Sequence, residues 1–140
     1  MAASKPVITQ AEYETLAGFR HTLRQFLHFS EKAARAAGVT PQHHQALLVI
    51  RGFPGPDPIT MADFADRLQI RHHSAVGLVD RLVKQRLVRR SQHTEDRRRI
   101  HLALTARGGK VLEKLPALHK EQLRHLIPSL SAALRRLSSK

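Results

Sequence analysis

Most side chains that could carry chemistry in this sequence lie in its second half, and they are cationic hydrogen-bond donors. The stretch from Arg81 to Arg99 holds eight basic and two acidic residues. A shorter segment ahead of it offers donors and small side chains, namely Arg71, His72, His73, Ser74 and Gly77. Guanidinium and imidazole groups donate hydrogen bonds to phosphate oxygens and to the acceptor edges of bases. The pattern therefore predicts a surface that binds a polyanion.

Catalytic and metal-binding interpretations of these residues are weaker. Ser74, Asp80 and a histidine at position 72 or 73 are the residue types of a hydrolytic triad, but they share one predicted helix, on which near neighbours diverge. The ten histidines include no HExxH or comparable spacing, although convergence in the folded chain leaves a metal-sensing alternative open. No glycine-rich phosphate loop follows a predicted strand. We therefore expect no enzyme activity, no metal site and no cofactor.

The bulk composition indicates the same kind of partner. The 140 residues suffice for one domain with a core, and their net charge is +13. Residues 81–140 hold 16 basic and 4 acidic side chains, whereas residues 1–80 are nearly neutral, with 8 and 7. Such an imbalance favours a nucleic-acid face over the alternative, an evenly solvated basic surface.

Redox chemistry and membrane insertion are not expected. The chain has no cysteine, which excludes disulfides, thiol redox sensing and zinc held by cysteine. Its longest apolar runs are too short to span a bilayer, and the segment from Met1 to Thr9 lacks the apolar stretch of a signal peptide. We therefore expect a cytoplasmic protein.

Hydrophobic periodicity and helix-capping residues indicate the elements that must position these side chains. Gly38 ends the first helix, Thr40-Pro41 opens the second, and Thr60 opens the third. Pro116 should kink or end the helix that begins at Thr105. The predicted elements are helices over 10–37, 40–51, 61–68 and 71–85, a strand over 87–90, a polar turn over 91–97, a strand over 100–104, and helices opening at Thr105 and Pro128.

The order of elements predicts a mainly α fold with a small β-hairpin wing, in which residues 40–104 form a winged helix-turn-helix. In this motif the second helix enters the major groove of DNA, which is about 12 Å wide. An apolar inner face should hold that helix in place, built from Ala65, Leu68, Ile70, Ala75, Leu78, Val79 and Leu82. Apolar stripes on the helices of residues 10–37 and 105–138 are expected to form a homodimer interface, because a monomer would expose them. Residues 1–140 are then one domain.

Several segments together resemble the MarR family of transcriptional regulators. They are Val39-Thr-Pro-Gln, Phe64-Ala-Asp-Arg-Leu-Gln-Ile, Leu78-Val-Asp-Arg-Leu, Leu87-Val-Arg-Arg, Asp96-Arg-Arg and Leu104-Thr-Ala-Arg-Gly108. The most specific element is Asp96-x-Arg98, followed at a fixed distance by Leu104-Thr105-x-x-Gly108. The similarity covers most of the chain.

The resemblance implies an obligate homodimer that binds a pseudo-palindromic operator in double-stranded DNA and usually represses transcription. It also implies that Arg98 reaches the minor groove while Asp96 holds it in position, and that a small aromatic or lipophilic effector weakens DNA binding. Phe19, His43 and His44 are expected to line the effector site. The expected DNA contacts are Arg71, His72, His73, Ser74, Gly77, Arg81, Lys84, Arg89, Arg90, Asp96, Arg97, Arg98 and Arg99. A non-specific architectural DNA- or RNA-binding protein is the alternative function.

Three positions depart from the family pattern. Arg71 stands where a capping Ser or Asp commonly opens the recognition helix, and Arg86 replaces a Gly just after that helix. Since a side chain at positive φ is strained, this helix end is expected to have a different shape. The adjacent His72 and His73 are also unusual, so the operator sequence cannot be transferred from better-known members.

Overall fold

The computed structural model describes residues 3–92 and 99–138, with only the backbone for residues 116–119. Its elements are α1 (Gln10–Ala36), α2 (Pro41–Arg51), β1 (Ile59–Thr60), α3 (Met61–Leu68), α4 (His72–Lys84), β2 (Val88–Gln92), β3 (Ile100–Leu104), α5 (Ala106–Glu113) and α6 (Pro116–Ser138). The chain divides into two compact units, one of residues 31–116 and one of residues 1–30 with 117–140. We call them the central unit and the terminal unit.

The central unit is organised around one apolar core. Phe64 of α3, Leu47 of α2 and Leu102 of β3 are almost completely buried in it, and burying a side chain of this size contributes about 1.5–3 kcal/mol. The inner face predicted from the sequence is confirmed. Five of its residues are buried and two are half-buried against the core: Ala65, Ala75, Leu78, Val79 and Leu82, then Leu68 and Ile70.

A small antiparallel sheet completes the central unit, with strand order β1-β3-β2. The predicted hairpin of β2 and β3 is confirmed, with Val88 opposite Leu104. Ser91 and Gln92 were expected in a turn but continue β2, because they pair with His101 and Ile100. The sequence analysis missed β1, a strand of two residues that pairs with the other edge of β3.

Three threonines cap the helices of the central unit. Thr40, Thr60 and Thr105 each accept a hydrogen bond from the backbone N–H three residues later, at 3.0–3.2 Å. Each thus satisfies a donor that a helix start leaves unpaired. Arg71 opens α4 without any side-chain cap, as its departure from the family pattern predicted.

The terminal unit contains the first part of α1 and nearly all of α6. The sequence analysis placed a helix start at Pro128, and this is wrong, because α6 continues through Pro128. Proline lacks the N–H that would bond to the carbonyl four residues earlier, yet the helical turns on both sides persist. Pro116, which was expected to kink or end a helix, opens α6 after α5 has ended at Glu113.

Apolar side chains of the terminal unit lie largely at its surface. Among its residues with described side chains, none of the apolar ones is buried. Its large exposed hydrophobic residues include Tyr13, Leu16, Leu23, Leu27, Leu123, Ile127, Leu134 and Leu137. A groove lined by α1 and α6, with Phe19 in its wall, has a volume of about 750 Å³. The unit therefore presents an apolar surface that its own residues leave uncovered.

Candidate nucleic-acid interface

The exposed side of α4 carries the donors that the sequence predicted. Arg71, His72, His73 and Ser74 are all exposed around the first turn, and Gly77 is half-buried. The opposite side of α4 is inserted in the core through Leu78, Val79 and the other buried residues given above. The helix is thus anchored along one side and presents polar groups along the other.

Positive charge continues from the end of α4 into β2. Arg81, Lys84, Arg86, Arg89 and Arg90 are all exposed, although they differ in their partners. Arg90 donates a hydrogen bond from Nη2 to Oδ1 of Asp80 and forms an ion pair with it. The pairing partly neutralises Arg90 and holds its guanidinium against α4. The sequence analysis missed this pair, since the two residues belong to different elements.

A cleft of about 410 Å³ joins the start of α4 to the start of β3. His72 and Val76 line it from α4, Thr60 and Asp63 from the start of α3, and Arg99 from the end of the wing. His72 and Arg99, both predicted contacts, therefore lie at one cleft. Asp96, Arg97 and Arg98 lie outside the described residues, so their predicted roles stay predictions.

The end of α4 keeps the shape that glycine would give it. Arg86 has a φ of 62°, and the N–H groups of Arg86 and Leu87 donate to the carbonyls of Val83 and Leu82 at 3.0 and 2.9 Å. This paired arrangement is the common helix ending with a left-handed residue. The expectation that Arg86 gives this helix end a different shape is therefore wrong. Arg86 itself adopts the strained left-handed conformation.

Hydrogen bonds between backbone and hydroxyl groups connect the segments where α4, β2, β3 and α5 meet, and we call this cluster the joint at Thr105. Thr105 Oγ1 donates to the carbonyl of Arg86 at 2.6 Å, and the N–H of Thr105 donates to the carbonyl of Leu87 at 3.1 Å. Gly108 packs so closely that a β-carbon there would lie 2.1 Å from the same carbonyl oxygen. The motif Leu104-Thr105-x-x-Gly108 thus has a structural explanation that its spacing alone did not reveal.

The three residues expected to line an effector site are divided between the units. Phe19 belongs to the terminal unit, whereas His43 and His44 are buried in the central unit, so neither unit contains all three. Burial lowers the pKa of His43 below its ordinary value, and the nearby Arg81 lowers it further, while a hydrogen bond with Gln85 acts in the opposite direction. His43 thus lies against the last turn of α4.

Comparison with known proteins finds a family to which part of the chain is similar. Residues 37–99 match a family model described as the MarR family. The matched segment runs from the residue after α1 to the residue before β3 and covers 63 of the 140 residues, so the similarity to this family extends over less than half of the chain. A curated relative, the HTH-type transcriptional repressor MdtR of Bacillus subtilis (strain 168), is 30% identical over 83 residues. These residues are 59% of this chain and 52% of MdtR, so the match spans about half of that relative.

Two solved structures share the fold. AbsC, a MarR family transcriptional regulator from Streptomyces coelicolor, matches with a TM-score of 0.72 at 23% identity, over 86% of this chain and 81% of AbsC. The S. aureus MepR–DNA complex matches with a TM-score of 0.69 at 22% identity, over 85% of this chain and 86% of that one. The winged helix predicted from the sequence is therefore confirmed.

Two features are absent from the part of the chain that the structure describes. Across residues 3–92 and 99–138, no helix is long and apolar enough to cross a membrane. Over the same ranges, no three His, Asp or Glu side chains converge in a way that could hold a metal ion.

Proposed function

We propose that this chain is a transcriptional regulator of the MarR family that binds a specific sequence of double-stranded DNA. The observation that carries the proposal is α4, whose inner face is buried while Arg71, His72, His73 and Ser74 stand exposed at its start. In helix-turn-helix proteins the first residues of the recognition helix contact base edges. A rigidly held row of donors at this position is suited to reading a sequence.

The relatives favour a regulatory role in place of catalysis. MdtR is named as a transcriptional repressor, and MepR has been solved with DNA bound. We extend repression to this chain and propose that it is not an enzyme. Its place of action is then the cytoplasm, where bacterial DNA lies.

The remaining basic residues are proposed to bind the DNA backbone. Lys84, Arg89 and Arg99 are all exposed, and lysine and arginine supply most of the affinity for phosphates. By resemblance to the family, Arg98 is proposed to enter the minor groove with Asp96 as its partner. Because Asp80 already holds Arg90, we propose that Arg90 contributes less than Arg89 does.

A homodimer is proposed as the functional form. The uncovered apolar side chains of α1 and α6 would be buried by a second copy of the terminal unit, and an exposed apolar surface of this kind favours association. Two-fold symmetry would place two α4 helices in successive major grooves, about 34 Å apart. The operator is then expected to be a pseudo-palindrome.

An effector, where one acts, is proposed to be a small aromatic or lipophilic molecule. Oxidation of a thiol is not available, because the chain has no cysteine. Phe19, His43 and His44 stay the proposed contacts of such a ligand. A tenfold loss of DNA affinity requires that the ligand bind the DNA-free form of the protein more favourably than the DNA-bound form, by about 1.4 kcal/mol.

Selection of DNA from a random pool tests the function directly. The selected duplex and a random duplex of equal length are then titrated at the same salt concentration by fluorescence anisotropy. A sequence-specific regulator should bind the selected duplex roughly 10³–10⁷-fold more tightly. Equal affinity for the two duplexes would overturn the proposal and favour the architectural alternative.

A charge-matched pair of variants locates the interface. Arg89→Ala removes a proposed phosphate contact and should reduce the steepness of the salt dependence by about one unit per lost contact. Arg107→Ala removes an equally exposed charge from α5, outside the proposed interface. Equal losses from both variants would contradict the assignment to β2.

A further inference from the structure

The first turn of α4 contains two adjacent histidines in an unusual electrostatic setting. His72 and His73 are both exposed, and the first turn contains no acidic residue. The N-terminus of a helix carries about half a positive charge, and Arg71 adds a full charge beside it.

Charged groups of neighbouring elements lie near the start of α4. His72 shares its cleft with Asp63 of α3 and with Arg99, which have opposite charges, and Asp63 also accepts a hydrogen bond from Thr60 Oγ1 at 2.9 Å. Further charged residues on α3 and β2, which pack against α4, are Asp66, Arg67, Arg89 and Arg90, and Asp80, Arg81 and Lys84 lie farther along α4 itself.

Bound DNA would bring negative charge close to both histidines. Phosphates surround the major groove, and a nearby negative charge favours the protonated imidazole. An imidazolium has two N–H donors and no acceptor, so its hydrogen-bonding pattern fits the N7 and O6 acceptors of guanine. A neutral imidazole has one donor and one acceptor and lacks this preference.

We propose that His72 and His73 read guanine edges of the operator as imidazolium ions, so that binding of the specific sequence takes up protons. This inference rests on the proposed function, since it assigns the protonation state in which the same interface recognises DNA. Its consequence is that acidification strengthens specific binding. Histidine is the side chain suited to this, because its charge changes between about pH 5 and pH 8.

The experiment measures affinity for the selected duplex at about pH 8 and about pH 6, a range in which histidine titrates, with salt held constant. Each imidazole that gains a full proton on binding makes the affinity rise by about tenfold per pH unit. The wild-type chain should therefore bind at least about tenfold more tightly at the lower pH. His72→Gln/His73→Gln should lose most of this increase, since the glutamine amide does not titrate.

His28→Gln/His125→Gln is the matched control, because it removes two exposed histidines of the terminal unit. It should keep the wild-type pH dependence. An unchanged pH dependence in the His72/His73 variant would overturn the inference, and so would an equal pH dependence on random DNA, which would indicate phosphate contacts. The proposed function fails separately, if the wild-type chain does not prefer its selected duplex at either pH.

Discussion

Arg86 occupies a backbone conformation in which glycine is the ordinary residue. Its φ of 62° is left-handed, and a β-carbon there costs about 1–2 kcal/mol. A glycine variant avoids this cost, but part of the resulting gain in stability is offset because glycine gives the unfolded chain greater conformational freedom. Arg86→Gly should therefore raise the free energy of unfolding by about 0.5–1 kcal/mol, measured by urea denaturation.

Arg86→Ala separates backbone strain from charge. It removes the same positive charge but keeps the β-carbon, so the free energy of unfolding should stay within about 0.5 kcal/mol of the wild-type value. If alanine stabilises the chain as much as glycine does, relief of charge repulsion is the cause and the strain explanation is wrong.

Gly108 is required for a different reason, which is close packing. A β-carbon at this position would lie 2.1 Å from the carbonyl oxygen of Leu87, and a backbone atom held by Thr105 cannot give way easily. Gly108→Ala should lower the free energy of unfolding by about 1–3 kcal/mol, as overpacking commonly does. Gly109→Ala, next to it in α5, meets no atom within 4 Å.

Gly109→Ala therefore serves as the control for Gly108→Ala. Alanine is better than glycine in a helix by about 1 kcal/mol, so Gly109→Ala should be neutral or stabilising. Thermal and urea unfolding of the two variants check the pair. A Gly108→Ala variant as stable as Gly109→Ala would show that the joint at Thr105 is looser than described.

At the scale of elements, local signals predicted most of the fold. Thr40, Thr60 and Gly38 mark helix ends through bonds within a few residues, so the bounds of α2 and α3 follow from the sequence. β1 was missed because two residues have no periodicity, and only pairing with β3 makes them a strand. The Asp80–Arg90 ion pair was missed for the same reason, since it depends on how α4 meets β2.

The contact between α2 and α4 makes stability depend on pH. The pKa of His43 lies below its ordinary value of 6.5, first through burial and then through Arg81. The unfolded chain therefore binds a proton more readily as the pH falls below that ordinary value, and the free energy of unfolding decreases with it. Above the ordinary value this residue adds no pH dependence. His43→Gln should flatten the decline, and urea denaturation at about pH 7.5 and pH 5.5 measures it.

The exposed His28 provides the comparison for His43. His28→Gln should keep the wild-type decline in stability, because the side chain is exposed in α1. A decline of equal steepness in the wild type and in both variants would place the pH dependence elsewhere and contradict the assignment.

For the whole molecule, the proposed dimer depends on the apolar side chains of the terminal unit. Ile127 is 52% exposed on α6, and Leu48 is 46% exposed on α2 of the central unit. Ile127→Asp should convert a dimer to monomers by placing a charge in the interface, whereas Leu48→Asp should not. Sedimentation at micromolar concentration measures both. A monomeric wild-type chain, or equal behaviour of the two variants, would contradict the proposal.

The absence of buried apolar side chains among the described residues of the terminal unit has a consequence for the life of the protein in a cell. In the proposed dimer, α1 and α6 would complete their core only with a second copy, so their stability would depend on how many copies are present. At low abundance, newly made chains would expose α1 and α6 and be open to proteases. Degradation would then remove unpaired chains first, so that the pool of regulator rises steeply only after synthesis exceeds a threshold.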